Sequence, residues 1–212
     1  MNTFASFRKR DFQIQSPRDP GWRGARPVGL KDKLPAGASA TASDVYAARR
    51  VWAQEFVDAC VKKELTAIAI TDHHEIVMAT YVIAEIEARI KSGNDPNLWV
   101  FPAMELTLQD GVQSIVLFDA DLPEENWTSA QAVLGIDTSN TDVLTAVAPA
   151  PKQLPRTYDE LFAQLDTIES LKGRYIVLPN VSDGGHSVVR QGWQKRFSEM
   201  WPAPGLVDTR LS

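Results

Sequence analysis

A chain of 212 residues, 44% hydrophobic and 23% charged with a net charge of −5, has the size and composition of one well-buried globular domain. The negative balance excludes indiscriminate binding of nucleic acid through the whole surface, and no apolar run reaches the ~18 residues that would cross a bilayer. The amino terminus MNTFASFRKR lacks the apolar core and small-residue cleavage site of a secretory signal. The expectation is a single cytoplasmic domain over residues 1–212. The one cysteine, Cys60, excludes an internal disulfide and reads as a small buried hydrophobe. Residues 1–33 carry eight Arg or Lys against three Asp, a local +5 that marks either a phosphate-facing loop or a solvated basic arm.

In chain order, residues 10–15 read as a short strand. Residues 16–43 follow as a long Pro/Gly/Ser-containing loop with no useful period, which needs a purpose at that length. A helix is predicted from an N-cap at Ser43 to about Glu64, with Ala48, Trp52, Phe56 and Ala59 on its core face. TAIAIT is a continuous apolar, β-branched run, the pattern of a parallel strand covered on both sides. A second helix runs from about Ile76 to Lys91 and stops at Gly93 and Pro96. LWVFPAME and VQSIVLFD then form two strands joined by an Asp-Gly turn that suits a hairpin. A short helix is predicted over Glu124–Leu134. Another starts at the Thr157/Glu160 capping box and ends near Lys172 and Gly173. RYIVLP is a further buried strand, followed by the loop NVSDGGH and a helix over Ser187–Met200. The alternation of strands and helices predicts an α/β fold with a mainly parallel sheet.

In such folds the chemistry gathers at the carboxyl ends of the strands. Gln13 and Gln15, Asp72 with His73 and His74, Glu105, and the stretch from Asn180 to His186 all stand at strand ends, so one rim collects them. TDHH supplies carboxylate and imidazole groups suited to divalent metals. Strand alternation points Gln13 and Gln15 the same way, as metal ligands or as partners for backbone groups at the strand end. Glu105 needs a partner or water at its strand end, which favours a pocket role. His74 is read as supporting the site or exposed. His186 either caps the following helix or lines the pocket. Arg18, Arg23 and Arg26 either grip a substrate phosphate or are solvated.

LTAIAITDHHE resembles the second motif of the polymerase and histidinol phosphatase (PHP) superfamily of phosphoesterases. RDFQIQSP resembles its first motif, Asp-Leu-His-x-His-Thr. FPAMELTLQDGVQSIVLF resembles the segment that places a metal-bridging Glu before a strand bearing a His, and IVLPNVSDGGH the third motif. The match spans about residues 8–200, and its nearest form is the PHP domain attached to ATPases of the SMC or AAA type. The resemblance implies a distorted (β/α)7 barrel with a di- or trinuclear metal centre that hydrolyses phosphate esters, nucleic acid among the candidate substrates, and an associated ATPase as a partner. It implies metal-ligand roles for His73 and Glu105, and a ligand or supporting role for Asp72. Gln13 and Gln15 stand at the two first-motif histidines, Gln113 at a further His and Asn180 at the third-motif His. The family's final Asp-x-His motif is not found before Ser212, so the chain is either a piece of a longer protein, its barrel truncated at the carboxyl end, or one that never had the motif. Amide oxygens in place of imidazoles weaken a zinc site and suit harder ions. Two readings follow. Either the site is retuned around manganese, magnesium or a reduced complement of zinc, or it holds no metal and has become a recognition surface.

Overall fold

In the computed structural model of the chain, residues 8–31, 40–138, 147–148, 150–181 and 186–187 are described. Five strands form one sheet in sequence order: β1 (Lys9–Ile14), β2 (Leu65–Ile70), β3 (Trp99–Thr107), β4 (Gln113–Phe118) and β5 (Tyr175–Pro179). β1, β2 and β3 pair in parallel, whereas β4 is antiparallel to both β3 and β5. Four strands therefore run one way and β4 alone is reversed. The reversal follows from the Asp110-Gly111 turn, too short for a crossover, with Gly111 at φ +80°.

Four helices accompany the sheet: α1 (Ala42–Lys62), α2 (Val77–Lys91), α3 (Glu124–Leu134) and α4 (Tyr158–Leu165). All four contribute to one large core, where Trp52, Val57, Val82, Trp127 and Leu161 meet Ile68, Ile70, Met104, Leu106, Val116 and Val177 of the sheet. The alternate strand residues face the other side. There Ala69, Ala103 and Leu117 form a small cluster with Phe12, Phe101 and Ile115. Helices on one face and a sparse, small-residue opposite face make a curled half-barrel. Five described strands fall short of the seven that the resemblance implies.

Most element boundaries follow the sequence signals, with instructive exceptions. α1 is capped by Thr41, in a reciprocal capping box with Asp44, and not by Ser43. Its buried face is Val45, Arg49, Trp52, Ala53, Val57 and Cys60, so Ala59 is exposed. α4 ends at Leu165, well before Lys172, and a single 3-10 turn covers Glu169–Leu171. Cys60 is buried as expected, and burial first of all pushes its thiol up to about 11. The helix predicted over Ser187–Met200 lies outside the described residues from 188 onward.

The edge strand β1 holds the departure that matters for the site. Asp11 pairs with Ile68 and Ile14 with Ile70, so three steps on β1 oppose two on β2 and the strand is bulged between them. Phe12 consequently packs on the small-residue face, while Ile14 joins the helix-side core. Simple alternation no longer links Gln13 to Gln15. The central β3 carries the most buried surface of the sheet, and Leu106 has no exposure. Truncating it, Leu106→Ala, is expected to cost about 2–5 kcal/mol, measured as a lowered urea midpoint with an unchanged slope.

Candidate functional site

The segment after β2, Thr71 to Ile76, and the loop after β1, Ser16 to Gly21, are tied residue to residue. Asp72 is fully buried, and its two oxygens accept from the Ser16 backbone N–H and the Ser16 hydroxyl, each at 2.6 Å. Burial above all raises the Asp72 carboxyl to about 7, although the Ser16 hydrogen bonds oppose the rise. Arg18 and Glu75, both buried, form an ion pair through Nε. Burial raises the Glu75 carboxyl against the pull of Arg18. Asp19, also fully buried, accepts from the His73 backbone N–H at 2.7 Å and lies 2.9 Å from His73 Nδ1. Burial pushes Asp19 up, yet the His73 bonds with that from Gly21 leave it below the usual carboxylate range. An ionised Asp19 can only accept, so Nδ1 of His73 is the donor.

That assignment leaves Nε2 of His73 facing Glu105, whose Oε1 is 3.7 Å away. The Asp19 hydrogen bond is the main reason the imidazole is raised above 6.5, with burial opposing it. Glu105 is raised mainly by burial, while His73 and His186 pull it down. Backbone contacts fix the two ends together: Glu105 N–H donates to Asp72 O at 3.1 Å, and His74 N–H to Glu105 O at 2.9 Å. His74 turns through a left-handed conformation, φ +58°, and its Nε2 accepts from Thr107 N–H at 2.9 Å. Burial and the neighbouring His73 lower its pKa to about 4, so it is neutral and structural.

The register places the remaining rim candidates beside this group. Gln113 pairs with Thr107 and lies, like Glu105, on the small-residue face. Asn180 N–H donates to Gln113 O, continuing β5 by one residue. Gln113 N–H donates to His186 O, and the exposed His186 sets its Nδ1 against Gly111 O at 2.9 Å. The Gln15 amide nitrogen lies 3.5 Å from His73 Nδ1. Gln13 is exposed past the bulge, and its backbone N–H donates to Asp11 Oδ1 at 3.2 Å.

Several expectations are therefore corrected. Arg18 does not present its charge to a phosphate, because it is completely buried against Glu75. Arg26 is spent on the carbonyls of Pro17 and Asp19, at 2.8 and 2.6 Å. Arg23 is exposed on the loop. Of the two roles expected for Asp72, its bonds to Ser16 are those of the supporting one. Asp19 was missed, although it is the sole acid among residues 16–31 and sits in an Asp-Pro-Gly turn directly after a strand. A cavity of about 260 Å³ is lined by His73 and His74 together with Ile136, Lys152 and Leu154. Lys152, absent from the sequence reading, is the cation on its wall.

The donor set tests the metal expectation. Among the described residues no group of three or more His, Cys, Asp or Glu side chains is placed to hold an ion. His73 and Glu105 make one adjacent pair, and the further rim groups are amides. A di- or trinuclear centre does not fit these residues. A single hard cation would have His73 and Glu105 as its charged donors.

No protein-family model matches the chain, and no curated protein matches it. Among solved structures, one from Bifidobacterium adolescentis described as a "putative metal-dependent phosphoesterase" is 10% identical, with a TM-score of 0.40 over 84% of this chain and 69% of that one. So remote a likeness assigns no role to any residue here. No helix of the described residues is long and apolar enough to cross a membrane.

The buried pair gives a first expectation. Arg18→Met alone leaves Glu75 buried without its partner and is expected to cost about 3–5 kcal/mol, whereas Arg18→Met with Glu75→Leu recovers most of the loss in chemical denaturation. A second concerns pH. A His lowered from 6.5 to about 4 contributes stability that is fully present above 6.5 and is lost as pH falls through about 4, worth roughly 3 kcal/mol. Asp72 has the opposite sign, its contribution being present below 3.8 and lost as pH rises through about 7. The difference between wild type and His74→Asn isolates the first effect. The stability gap between the two proteins, read from urea melts at several pH values, is expected to shrink as pH falls from 6.5 to 4.

Proposed function

We propose that this chain is a PHP-type phosphoesterase domain, one distorted (β/α)7 barrel over residues 1–212, whose rim takes a single hard divalent cation and acts on a phosphate ester. The observation that carries this reading is the buried Asp19 gripping His73 at both its backbone and Nδ1 while Nε2 faces Glu105. A carboxylate behind an imidazole is the arrangement that fixes the tautomer and raises the basicity of metal-binding histidines. His73 and Glu105 would hold the ion, with Gln15, Gln113 and Asn180 as the nearby neutral oxygens. A bound ion of this kind supplies polarisation of a phosphoryl oxygen and acidification of water. The chain's own residues do the rest. Asp19 holds the imidazole, Asp72 and Ser16 hold the loop that carries Asp19, and Lys152 offers positive charge to a phosphate in the cavity beside His73. Manganese or magnesium is favoured over zinc because the amides are hard, neutral donors.

A second reading rests on the same pair. An imidazolium between Asp19 and Glu105 satisfies both carboxylates with no metal, and the raised His73 pKa fits it. The chain would then be a catalytically silent PHP-like module that binds a nucleotide, a nucleic acid or an associated ATPase. Calorimetric titration with manganese, alongside paramagnetic broadening of the His73 ring signals, separates the two. The proposal expects one ion per chain, selective broadening of His73, manganese-dependent hydrolysis of bis-p-nitrophenyl phosphate, and loss of all three in Glu105→Gln. Broadening that is absent or spread evenly over the histidines would leave the silent module.

A further inference from the structure

We infer that His74 is a substrate-binding residue of the phosphoesterase site proposed above, on which this inference rests, its Nδ1–H donating to a non-bridging phosphoryl oxygen of the ester. The backbone N–H of His74 donates to Glu105 O at 2.9 Å, its carbonyl accepts from the Gln131 side-chain amide at 3.2 Å, and its Nε2 accepts from the Thr107 backbone N–H at 2.9 Å. A backbone N–H can only donate, so Nε2 carries the lone pair and the ring proton sits on Nδ1. That Nδ1–H is the remaining polar group of the residue. It makes no hydrogen bond among the described residues, and it is not sealed inside the protein.

His74 lines the cavity of about 260 Å³ together with His73 and Lys152. The described carboxylates that line it, Glu75 and Asp137, are not bonded to the His74 ring. Lys152 is exposed and makes no hydrogen bond or ion pair among the described residues. A neutral donor and a cation therefore share one space, and a phosphoryl group offers acceptor oxygens to both. Water can serve an accessible N–H, so the worth of this one to a ligand is its preorganisation and not the relief of a buried penalty. His74 is held through three of its groups in a left-handed conformation, φ +58°, which a residue with a Cβ keeps only where its surroundings fix it. With Nε2 already accepting from Thr107, the ring has no spare lone pair for a substrate proton. It binds and orients the phosphate and is not a general base. Ile136 and Leu154 make part of the wall apolar, which suits an ester with a small ring.

Substitution separates the two nitrogens. His74→Gln keeps an acceptor oxygen at the reach of Nε2 and removes the Nδ1–H, whereas His74→Asn keeps an N–H near the Nδ1 position and is too short to reach Thr107. Phenylphosphonate, which has no ester bond to cleave, is titrated calorimetrically into the intact chain with and without manganese. The imidazole signals of the three histidines are followed by proton-nitrogen NMR in the manganese-free sample. The wild type is expected to show His74 as the Nδ1–H tautomer, with a saturable downfield shift of that proton as phosphonate is added. Phosphonate affinity should fall about tenfold in His74→Gln at unchanged manganese affinity, and no more than about threefold in His74→Asn, although His74→Asn unfolds at lower urea. The reverse order, with His74→Asn losing the ligand and His74→Gln keeping it, would make His74 structural only and overturn the inference. So would an Nε2–H tautomer, or a His74 signal that stays still while the phosphonate saturates. Should His74→Gln fail to fold, the wild-type tautomer and shift decide. Manganese uptake and ester hydrolysis with equal phosphonate affinity in wild type and His74→Gln would overturn the donor role and leave the rim reading standing. Phosphonate that binds without any manganese uptake and still depends on His74 would sustain the donor role and sink the metal reading. No phosphonate binding under either condition would overturn the donor role.

Discussion

The carboxylate of Asp19 decides where the chemistry of this chain can sit. It is buried, it accepts from two donors of one residue, and it belongs to a loop that no regular element holds. Such a loop cannot bury a charge unless something fixes it. Two further bridges do so, Ser16 to Asp72 and Arg18 to Glu75, so that three residues of the loop each bind one residue of the segment after β2. Burial raises Asp72 and Glu75, which shows that desolvation works against these bridges even as they form. Of the three only Asp19 ends below its ordinary range, because bonds from the His73 ring, the His73 backbone N–H and the Gly21 backbone N–H together outweigh its burial. The local sequence is therefore arranged so that one negative charge is stably ionised, and it is the one behind His73.

The secondary structure was largely legible because periodicity and turn chemistry speak locally. The hairpin of β3 and β4 follows from Asp110-Gly111. The helix face of α1 was misread by about one position, since Arg49 looks polar in sequence and yet is buried, over the Tyr81 ring and near enough to lower the Glu75 carboxyl. The site was legible in part. His73 and Glu105 come together as their strand ends suggested. Gln13 and Gln15 do not act as a matched pair, because a bulge in β1 reverses the alternation on which the inference stood. Nothing in RDFQIQSP announces that extra residue.

Arg18 illustrates the opposite error. An arginine in a basic loop beside a supposed phosphate site invites a role in binding, and sequence carries no sign of whether its charge faces water or a buried glutamate. The partner, Glu75, lies fifty-seven positions away. Its proximity depends on β1 and β2 pairing in parallel, which carries the ends of both strands to the same rim. The same pairing makes Asp19 reachable by His73. A lone acid in an otherwise basic, turn-rich loop directly after a strand was the available signal, and its reading required knowing which strand lay beside it.

These constraints bear on what the rim can bind. His73 has one nitrogen committed to Asp19, so its other nitrogen is available either to a proton or to a cation, and the two exclude each other. Glu105 gains from whichever is present, because burial raises it and a neighbouring positive charge lowers it. With two such groups and only amides around them, the energy available to a metal is small compared with a centre of several imidazoles, and a hard ion loses least by accepting amide oxygens. Of the loop arginines, Arg18 is buried against Glu75 and Arg26 is held by carbonyls, which leaves Arg23 exposed on the loop. On the reading proposed above, positive charge for a phosphate would come from the exposed Arg23 of the loop or from Lys152, which lines the cavity beside His73. The second belongs to a segment that the first two motifs do not contain.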